Sequence, residues 1–147
     1  MVDIEKARTL LAARRFGALS TQSKKLPGFP FGSLVNYALD PAGRPLFLFS
    51  ALAVHTKNLL EDPKASFLVY STDAEENPLQ SARLTMFGTI EEVPEEDHDS
   101  AQAAYLATHP DAEQYLELGD FRFFRMAVAD SYFVAGFGQM GWISKFT

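Results

Sequence analysis

The sequence predicts a mainly β (α+β) protein, a closed or partly closed antiparallel barrel with short helices at its periphery. Short apolar segments of strand length recur along the chain and are separated by turn residues. Thirteen phenylalanines among 147 residues favour a thick, β-rich core, because each aromatic side chain buries a large area. The hydrophobic share of 47% and the charged share of 22% are typical of a globular chain, and the length fits one domain, residues 1–147.

Hydrophobic periodicity and turn residues predict the order of the elements. Helices are predicted at residues 3–15, 56–62, 94–108 and 110–118. Strands are predicted at residues 16–21, 33–39, 46–51, 65–72, 83–93, 121–128 and 131–137, with a last short strand at 142–146. Asp3 is expected to cap the first helix, and Gly88 is expected to mark a β-bulge. The last two long strands are expected to form a hairpin.

Charge and composition exclude several classes of partner and chemistry. The formal net charge of −6 disfavours nucleic acid as the main partner. The chain has no cysteine, which rules out disulfides, thiol chemistry and a cysteine-based zinc site. It shows no signal peptide and no apolar run of membrane-spanning length, so we expect a cytoplasmic protein with no membrane partner.

The stretch LFLFSALAVHTKNLLEDPKASFLVY, residues 46–70, organises the rest of the chain. It is predicted as strand, turn, short helix and strand, with Thr56 as the N-cap of the helix and Asp62-Pro63 as its end. The helix start would combine free backbone N–H groups, the Thr56 hydroxyl and the Lys57 cation, a set that suits a phosphate. The alternative, a capped surface helix with an exposed lysine, stays open.

Among the other titratable side chains, His55 and Arg83 are candidates for ligand binding. His55 directly precedes Thr56-Lys57, whereas His98 and His109 lack partners at metal-ligand spacing and are expected to be solvated. Arg83 would join the phosphate site if its strand paired beside the strand 46–51. No metal site, nucleophile elbow or catalytic triad is recognisable, so no catalytic residue is assigned.

The segment GFGQMG, residues 136–141, matches the pattern G-x-G-x-x-G. A dinucleotide fingerprint requires a helix after the last glycine, and only six residues follow Gly141, so we interpret the segment as a glycine-rich turn. Trp142, which follows it, could cap the core, form a flat wall against a ring-shaped ligand, or contact a second copy. A dimer is predicted from the aromatic residues expected at the surface, which are Phe29, Phe31, Phe137 and Trp142.

Several motifs in this order resemble one known family. They are GFPFGSLVNYAL (28–39), LFLFSALAVHTKNLLEDPKASFLV (46–69), ARLTMFGTIEEV (82–93) and DFRFFRMAVADSYFVAGFG (120–138). The chain resembles the FMN-binding split barrels of the pyridoxamine 5′-phosphate oxidase-like superfamily. It is most similar to the branch that contains the heme-degrading split-barrel oxygenases and the secreted CREG-like proteins.

The resemblance implies an antiparallel split β-barrel that binds FMN as a homodimer, with both flavins at the subunit interface. It implies an FMN-dependent oxidoreductase that acts on a small or flat substrate. Residues 33–37 would follow the flavin ring, residues 55–58 would hold the phosphate, and Arg83 would approach from the same or the partner chain. The residues assigned to the cofactor are Ser33, Leu34, Val35, Asn36, Ser50, Ala51, His55, Thr56, Lys57, Asn58, Arg83 and Trp142.

Two departures from the family pattern narrow this expectation. The oxidase proper has an arginine where this chain has Ser33 and an Arg-Lys pair where it has Thr56-Lys57, so vitamin synthesis is not expected. The heme-degrading members carry an additional C-terminal domain or loop that this sequence does not show. Heme therefore enters as the alternative cofactor, and a non-catalytic flavin-binding module is the other alternative.

Overall fold

Among the residues that the structure describes, eight strands outnumber four short α-helices. The computed structural model describes residues 2–136 and 138–144. The helices are α1 (Ile4–Ala13), α2 (Val54–Glu61), α3 (His98–Thr108) and α4 (Glu113–Leu116). The strands are β1 (Phe16–Gln22), β2 (Pro30–Asn36), β3 (Ala38–Leu39), β4 (Pro45–Ser50), β5 (Lys64–Tyr70), β6 (Arg83–Glu92), β7 (Phe121–Gly136) and β8 (Gln139–Ile143). The predicted α+β class is confirmed.

All the strands belong to one antiparallel sheet, in the order β2-β1-β5-β6-β7-β4-β3, with β8 on β7. The sheet curls around the main hydrophobic core and forms the predicted split barrel. Since β2 and β3 lie at opposite ends of this order but are separated along the chain by Tyr37 alone, the two ends of the sheet come close together and the sheet curls back on itself.

Strand β7 is continuous over sixteen residues, so the predicted hairpin of 121–128 and 131–137 was wrong. The intervening Ala129-Asp130 contains no glycine or proline that would favour a tight turn. The register shifts instead, because Phe87 pairs with Asp130 and Gly88 pairs with Val128, which leaves Ala129 as the extra residue. The predicted irregularity at Gly88 is thereby confirmed as a β-bulge. Phe137 and residues 145–146 of the predicted last strands lie outside the described residues.

Aromatic rings form a continuous packed row through the core. Tyr37 meets Phe67 edge to face at 5.3 Å, and Phe67 meets Phe47 in the same way at 5.1 Å. Phe47 stacks on Phe49 at 5.1 Å, and Phe49 contacts Phe124 of β7 at 5.4 Å between ring centroids. Four of the thirteen phenylalanines belong to this row, and the row connects the interior of the barrel to the end of β4.

Helix α1 covers one end of the barrel. Asp3 caps it as predicted, since its carboxylate accepts hydrogen bonds from the backbone N–H groups of Glu5 and Lys6 at 3.0 and 3.3 Å. Its buried stripe is formed by Ala7, Leu10 and Leu11. Helix α3 covers a second, smaller core, in which Ala101 and Tyr105 pack with Leu46 and Phe123. Within the part of the chain that the structure describes, no helix is long and apolar enough to cross a membrane.

The bulge gives a direct stability test at Gly88. A Cβ atom at this position would lie 2.0 Å from the carbonyl oxygen of Ala127, which is backbone and cannot move cheaply. We expect Gly88→Ala to lower the free energy of unfolding by about 2–4 kcal/mol, measured by urea denaturation.

Gly32→Ala is the matched control, because a Cβ at this strand position would meet nothing within 4 Å. We expect its free energy of unfolding to stay within about 0.5 kcal/mol of that of the unmodified protein. Equal and small changes in both variants would contradict the packing described at the bulge.

Candidate functional site

A groove of about 530 Å³ lies between the end of β4 and the start of α2. Its sides come from the end of β2, from the segment between Leu48 and His55, and from the end of α3 with the turn that follows it. Aromatic and histidine side chains dominate the part contributed by the helices, namely Tyr105, His109 and Tyr115. Polar and charged side chains such as Arg15, Asn36 and Asp111 also line the groove, so it offers both flat faces and hydrogen-bonding groups to a small molecule.

His55 carries the most distinctive chemistry in the groove. Its ring packs on Phe49 with 4.4 Å between centroids, so it continues the aromatic row of the core. Its Nδ1 lies 3.3 Å from the hydroxyl oxygen of Thr56. Burial lowers the pKa of His55, which favours the neutral imidazole. When Nδ1 carries the hydrogen and donates to Thr56, Nε2 presents a lone pair, and this is the form that binds metal ions.

His109 also lines the groove, so its expected solvation was wrong. Its Nε2 lies 2.6 Å from the carbonyl oxygen of Tyr37. A carbonyl can only accept, so Nε2 carries the hydrogen and donates it. The ring packs on Tyr105 with 4.8 Å between centroids. The spacing of four residues between Tyr105 and His109 places them on one helix face, and this was the sequence signal that could have predicted the contact.

Tyr105 contributes a neutral phenol to the same wall. Burial, with a smaller contribution from Tyr115, raises the pKa of Tyr105 to about 12. The hydroxyl therefore stays protonated at neutral pH and is a hydrogen-bond donor rather than a phenolate ligand. Sequence reasoning missed this residue and Tyr115, because nothing in the sequence showed that the end of α3 folds over the end of β4.

The predicted N-cap at Thr56 was wrong. Helix α2 begins two residues earlier, at Val54, with Ala53 in the N-cap position and no side-chain capping bond. The first turn is closed by the backbone N–H of Lys57, which donates to the carbonyl of Ala53 at 3.2 Å. Thr56 is consequently inside the first turn and only 2% exposed. The unpaired N–H groups of this turn still face the neighbourhood of the groove, since Ala53 and His55 both line it.

Ser50 and Ala51 fasten the end of β4 to the start of β7. The Ser50 hydroxyl donates to the Asp120 carboxylate at 3.0 Å and accepts from the Leu52 N–H at 3.1 Å. The Ala51 N–H donates to the Asp120 carbonyl at 2.7 Å. The Ser50 hydroxyl is thus engaged in holding the loop, although Ser50 itself borders the groove.

Asn58 supports the structure from beneath α2. It is 1% exposed, and its carboxamide oxygen accepts from the Lys24 N–H at 3.0 Å while its NH₂ group donates to the Thr21 hydroxyl at 3.1 Å. These bonds anchor the loop between β1 and β2. Lys57 is exposed and does not line the groove.

The structure brings together some of the predicted cofactor residues and separates the others. Those that line the groove are Leu34, Val35, Asn36, Ser50 and His55. Those that do not line it are Ser33, Ala51, Thr56, Lys57, Asn58, Arg83 and Trp142. Whether any of the second set contacts a ligand from another copy of the chain remains a prediction.

Arg83 and Trp142 lie on other parts of the sheet. Strand β6 pairs with β5 and β7, while β4 pairs with β7, so the pairing that would bring Arg83 to the start of α2 does not occur. Trp142 is 62% exposed on β8, which excludes a role as a core cap. Its ring lies 5.8 Å from that of Phe87 and 5.0 Å from that of Tyr132.

Polar groups in the groove do not form a metal site of their own. Within residues 2–136 and 138–144, no cluster of three or more His, Asp or Glu side chains could hold a metal ion. Arg15 adds a positive charge to the groove and Asp111 a negative one. The arrangement suits a flat ligand that brings its own metal or its own reactive ring.

Comparison with known proteins decides the family. The model of the family described as "CREG, beta-barrel" matches residues 3–147. The chain belongs to the CREG beta-barrel family. The predicted relationship to the CREG-like branch of the split barrels is confirmed.

Relatives of this CREG beta-barrel chain include proteins with names that refer to heme. The chain is 41% identical over 133 residues to the chloroplastic heme oxygenase HOZ of Arabidopsis thaliana, covering 90% of this chain and 40% of the plant protein. It is 28% identical over 154 residues to protein CREG2 of Mus musculus, covering 95% of this chain and 53% of the mouse protein. The structure of a heme binding protein from Mycobacterium smegmatis has 34% identity and a TM-score of 0.87, covering 96% of this chain and 57% of that one. The chain therefore spans roughly half the length of these relatives.

The burial of His55 predicts how stability depends on pH. Because the folded protein holds the pKa of His55 below its ordinary value of 6.5, the unfolded chain binds more protons as the pH falls through that value. The folded state should therefore lose stability as the pH drops from 7 towards 5. We expect His55→Gln to reduce this loss, measured as the midpoint of urea denaturation at both pH values.

His98→Gln, a substitution at a half-buried position outside the groove, is the control for the loss of one histidine. The same pH dependence in His55→Gln and in the unmodified protein would contradict the inferred environment of His55.

Proposed function

We propose that the protein binds heme in the groove between β4, α2 and α3. The observation that carries the proposal is the imidazole of His55, which packs on Phe49 and lines a groove that also contains Tyr105 and Tyr115. Support comes from two relatives, at 41% and 34% identity, that are named as a heme oxygenase and a heme binding protein.

The residues of the groove fit the chemistry of heme. Imidazole nitrogen is a good ligand for iron, and one His side chain is the commonest protein ligand of heme iron. The flat walls at Phe49, Tyr105 and Tyr115 suit a planar macrocycle. Arg15, which forms no ion pair among the described residues, suits the carboxylate groups that heme carries.

The side chains around His55 have separate parts in this proposal. With Nδ1 donating to the Thr56 hydroxyl, the imidazole would be held in the tautomer in which Nε2 can bind iron. The neutral Tyr105 phenol can donate a hydrogen bond to a polar ligand group without competing for the iron. A bound heme would supply redox chemistry, and the chain would supply orientation and exclude water. Heme degradation, which the name of the plant relative indicates, is the activity to examine once binding is established.

A heme titration tests the proposal. We expect a Soret band that shifts and saturates on addition of the protein, and we expect His55→Gln to weaken binding by about 10- to 100-fold or to change the position of the band. His98→Gln should behave like the unmodified protein, since His98 does not line the groove. The absence of a Soret shift with the folded protein would overturn heme binding. An unchanged spectrum and affinity in His55→Gln would overturn His55 as the ligand.

FMN is the second candidate ligand, favoured by the uncapped first turn of α2 beside the groove. Backbone N–H groups at a helix start bind phosphate, and residues 34–36 of β2 lie along the same groove. The reactive chemistry would then belong to the flavin, and the chain would be an oxidoreductase for a small or flat substrate. A cytoplasmic location is part of this candidate as expected from the sequence.

The two ligands are distinguished by one competition experiment. If FMN is the ligand, the protein should quench flavin fluorescence stoichiometrically, and heme should not displace the flavin at equal concentration. If heme is the ligand, FMN should neither bind at micromolar concentration nor alter the Soret band. Bound FMN that no reductant such as NAD(P)H reduces would favour a non-catalytic flavin-binding module.

A homodimer that completes the groove is the third part of the proposal. Phe29 is 64% exposed and Leu34, which borders the groove, is 72% exposed. Large exposed apolar side chains beside a binding site are typical of interface residues. Phe31 is partly buried, so it supports the dimer less than the sequence indicated, and Phe137 lies outside the described residues.

A further inference from the structure

A second cleft, of about 430 Å³, lies on the sheet near the start of β6. Its floor is apolar and aromatic, with Phe16 of β1 and Leu68 and Tyr70 of β5. Phe16 and Tyr70 meet edge to face at 6.1 Å between ring centroids. None of these residues lines the groove that contains His55, so the cleft is a separate feature of the surface.

Two guanidinium groups are positioned at this cleft. The Arg14 guanidinium carbon lies 5.4 Å from the centroid of the Phe16 ring, within the range of a cation–π contact. Arg83 donates through Nη1 to the carbonyl oxygens of Pro78 and Ser81 at 2.7 and 3.2 Å. Phe16, Pro78 and Ser81 themselves line the cleft, so both cationic groups are held at its edge.

These arginines differ from most others in the chain because they have no carboxylate partner. Ion pairs with Asp or Glu are formed by Arg8, Arg44, Arg122 and Arg125. Among the described residues, Arg14 and Arg83 form none, and the Nε of Arg14 is buried without any hydrogen-bond acceptor. Glu75, which also lines the cleft, is exposed and pairs with neither arginine.

An uncompensated pair of arginines is unexpected in a chain of net charge −6, where carboxylates are abundant. A buried N–H without an acceptor costs free energy, so the unpaired Nε of Arg14 is unfavourable in the folded chain. The fork of donors on a guanidinium matches the two oxygens of a carboxylate or a phosphate. The aromatic floor beside these forks would take an apolar, flat portion of the same molecule.

We propose that this cleft binds a small molecule that carries a carboxylate or phosphate group on an aromatic ring. Arg14 and Arg83 bind the anionic group, and Phe16, Leu68 and Tyr70 contact the ring. The proposal does not depend on heme or FMN, because the cleft and the groove share no lining residue.

Four probes separate the parts of this recognition. Benzoate and phenyl phosphate each combine a ring with an oxyanion, inorganic phosphate has the anion alone, and benzyl alcohol has the ring alone. In titrations of the purified full chain followed by ¹H–¹⁵N NMR, we expect benzoate or phenyl phosphate to bind at least tenfold more tightly than the other two probes. The preference between the first two identifies the anion as carboxylate or phosphate.

Variants and the positions of the shifts locate the site. The amide signals that move should be those of residues 70–72, 81 and 83, in the unmodified protein. Arg83→Gln and Arg14→Gln should each weaken binding at least tenfold, and Arg83→Lys should recover part of it, since it keeps the charge but loses the fork. Arg122→Gln, which removes the same charge from an ion pair outside the cleft, should leave binding unchanged.

Several results would overturn the proposal. The first is that neither benzoate nor phenyl phosphate binds, and the second is that benzyl alcohol or inorganic phosphate binds as tightly as these two probes. The third is that the NMR shifts are confined to residues outside the cleft. The fourth is that Arg83→Gln and Arg122→Gln lose affinity equally. Because the NMR shifts are read from the unmodified protein, the test stays decisive even if an arginine variant fails to fold.

Discussion

The architecture depends on the pairing of β7 with neighbouring strands along both of its edges. One edge pairs with β6 over almost the whole length of the strand, while the other edge pairs first with β4 and later with β8. The bulge opposite Gly88 takes up the extra residue and lets the long strand bend without losing its partners. The pairing with β7 fixes β4, and the end of β4 fixes the start of α2, where the groove forms.

The groove is therefore built on rigid parts of the molecule. Phe49 is the link between the core and the groove, because it packs on Phe124 of β7 on one side and on His55 on the other. Ser50 and Asp120 tie the following loop to the start of β7. A binding side chain held by packed aromatic rings and a hydrogen-bonded loop loses little conformational entropy on binding, which favours affinity.

Much of the fold could be predicted from the sequence, since alternation, apolar runs and turn residues act locally. The strand pattern, the cap at Asp3 and the irregularity at Gly88 are of this kind. The continuous β7 could not be recognised, because Ala129-Asp130 was interpreted as a turn although only the pairing partners decide whether it bends. The start of α2 was misplaced for a similar reason. Thr56 is a good N-cap residue by type, but its hydroxyl is buried, and Ala53 takes the N-cap position without a side-chain bond.

The candidate site was predicted in two of its parts, the segment near His55 and residues 34–36 of β2. His55 and Ser50 were predicted as binding residues from the stretch between β4 and α2, and both line the groove in the structure. The opposite wall, with Tyr105 and His109, depends on how α3 packs across the sheet, and that contact is distant in sequence. Asn58 was assigned to the cofactor because it lies next to Lys57 in the sequence. In the structure it is buried, and its side chain holds the loop between β1 and β2 instead.

The central claim is that one groove, at the junction of β4 and α2, receives the flat ligand. Paramagnetic broadening by ferric heme in ¹H–¹⁵N NMR spectra of the protein would test it most directly. We expect the amide signals of residues 34–36, 50–55 and 105–112 to broaden first, while those of residues 70–72 and 81–83 stay sharp. Broadening centred on the second set, or spread evenly over the surface, would contradict it.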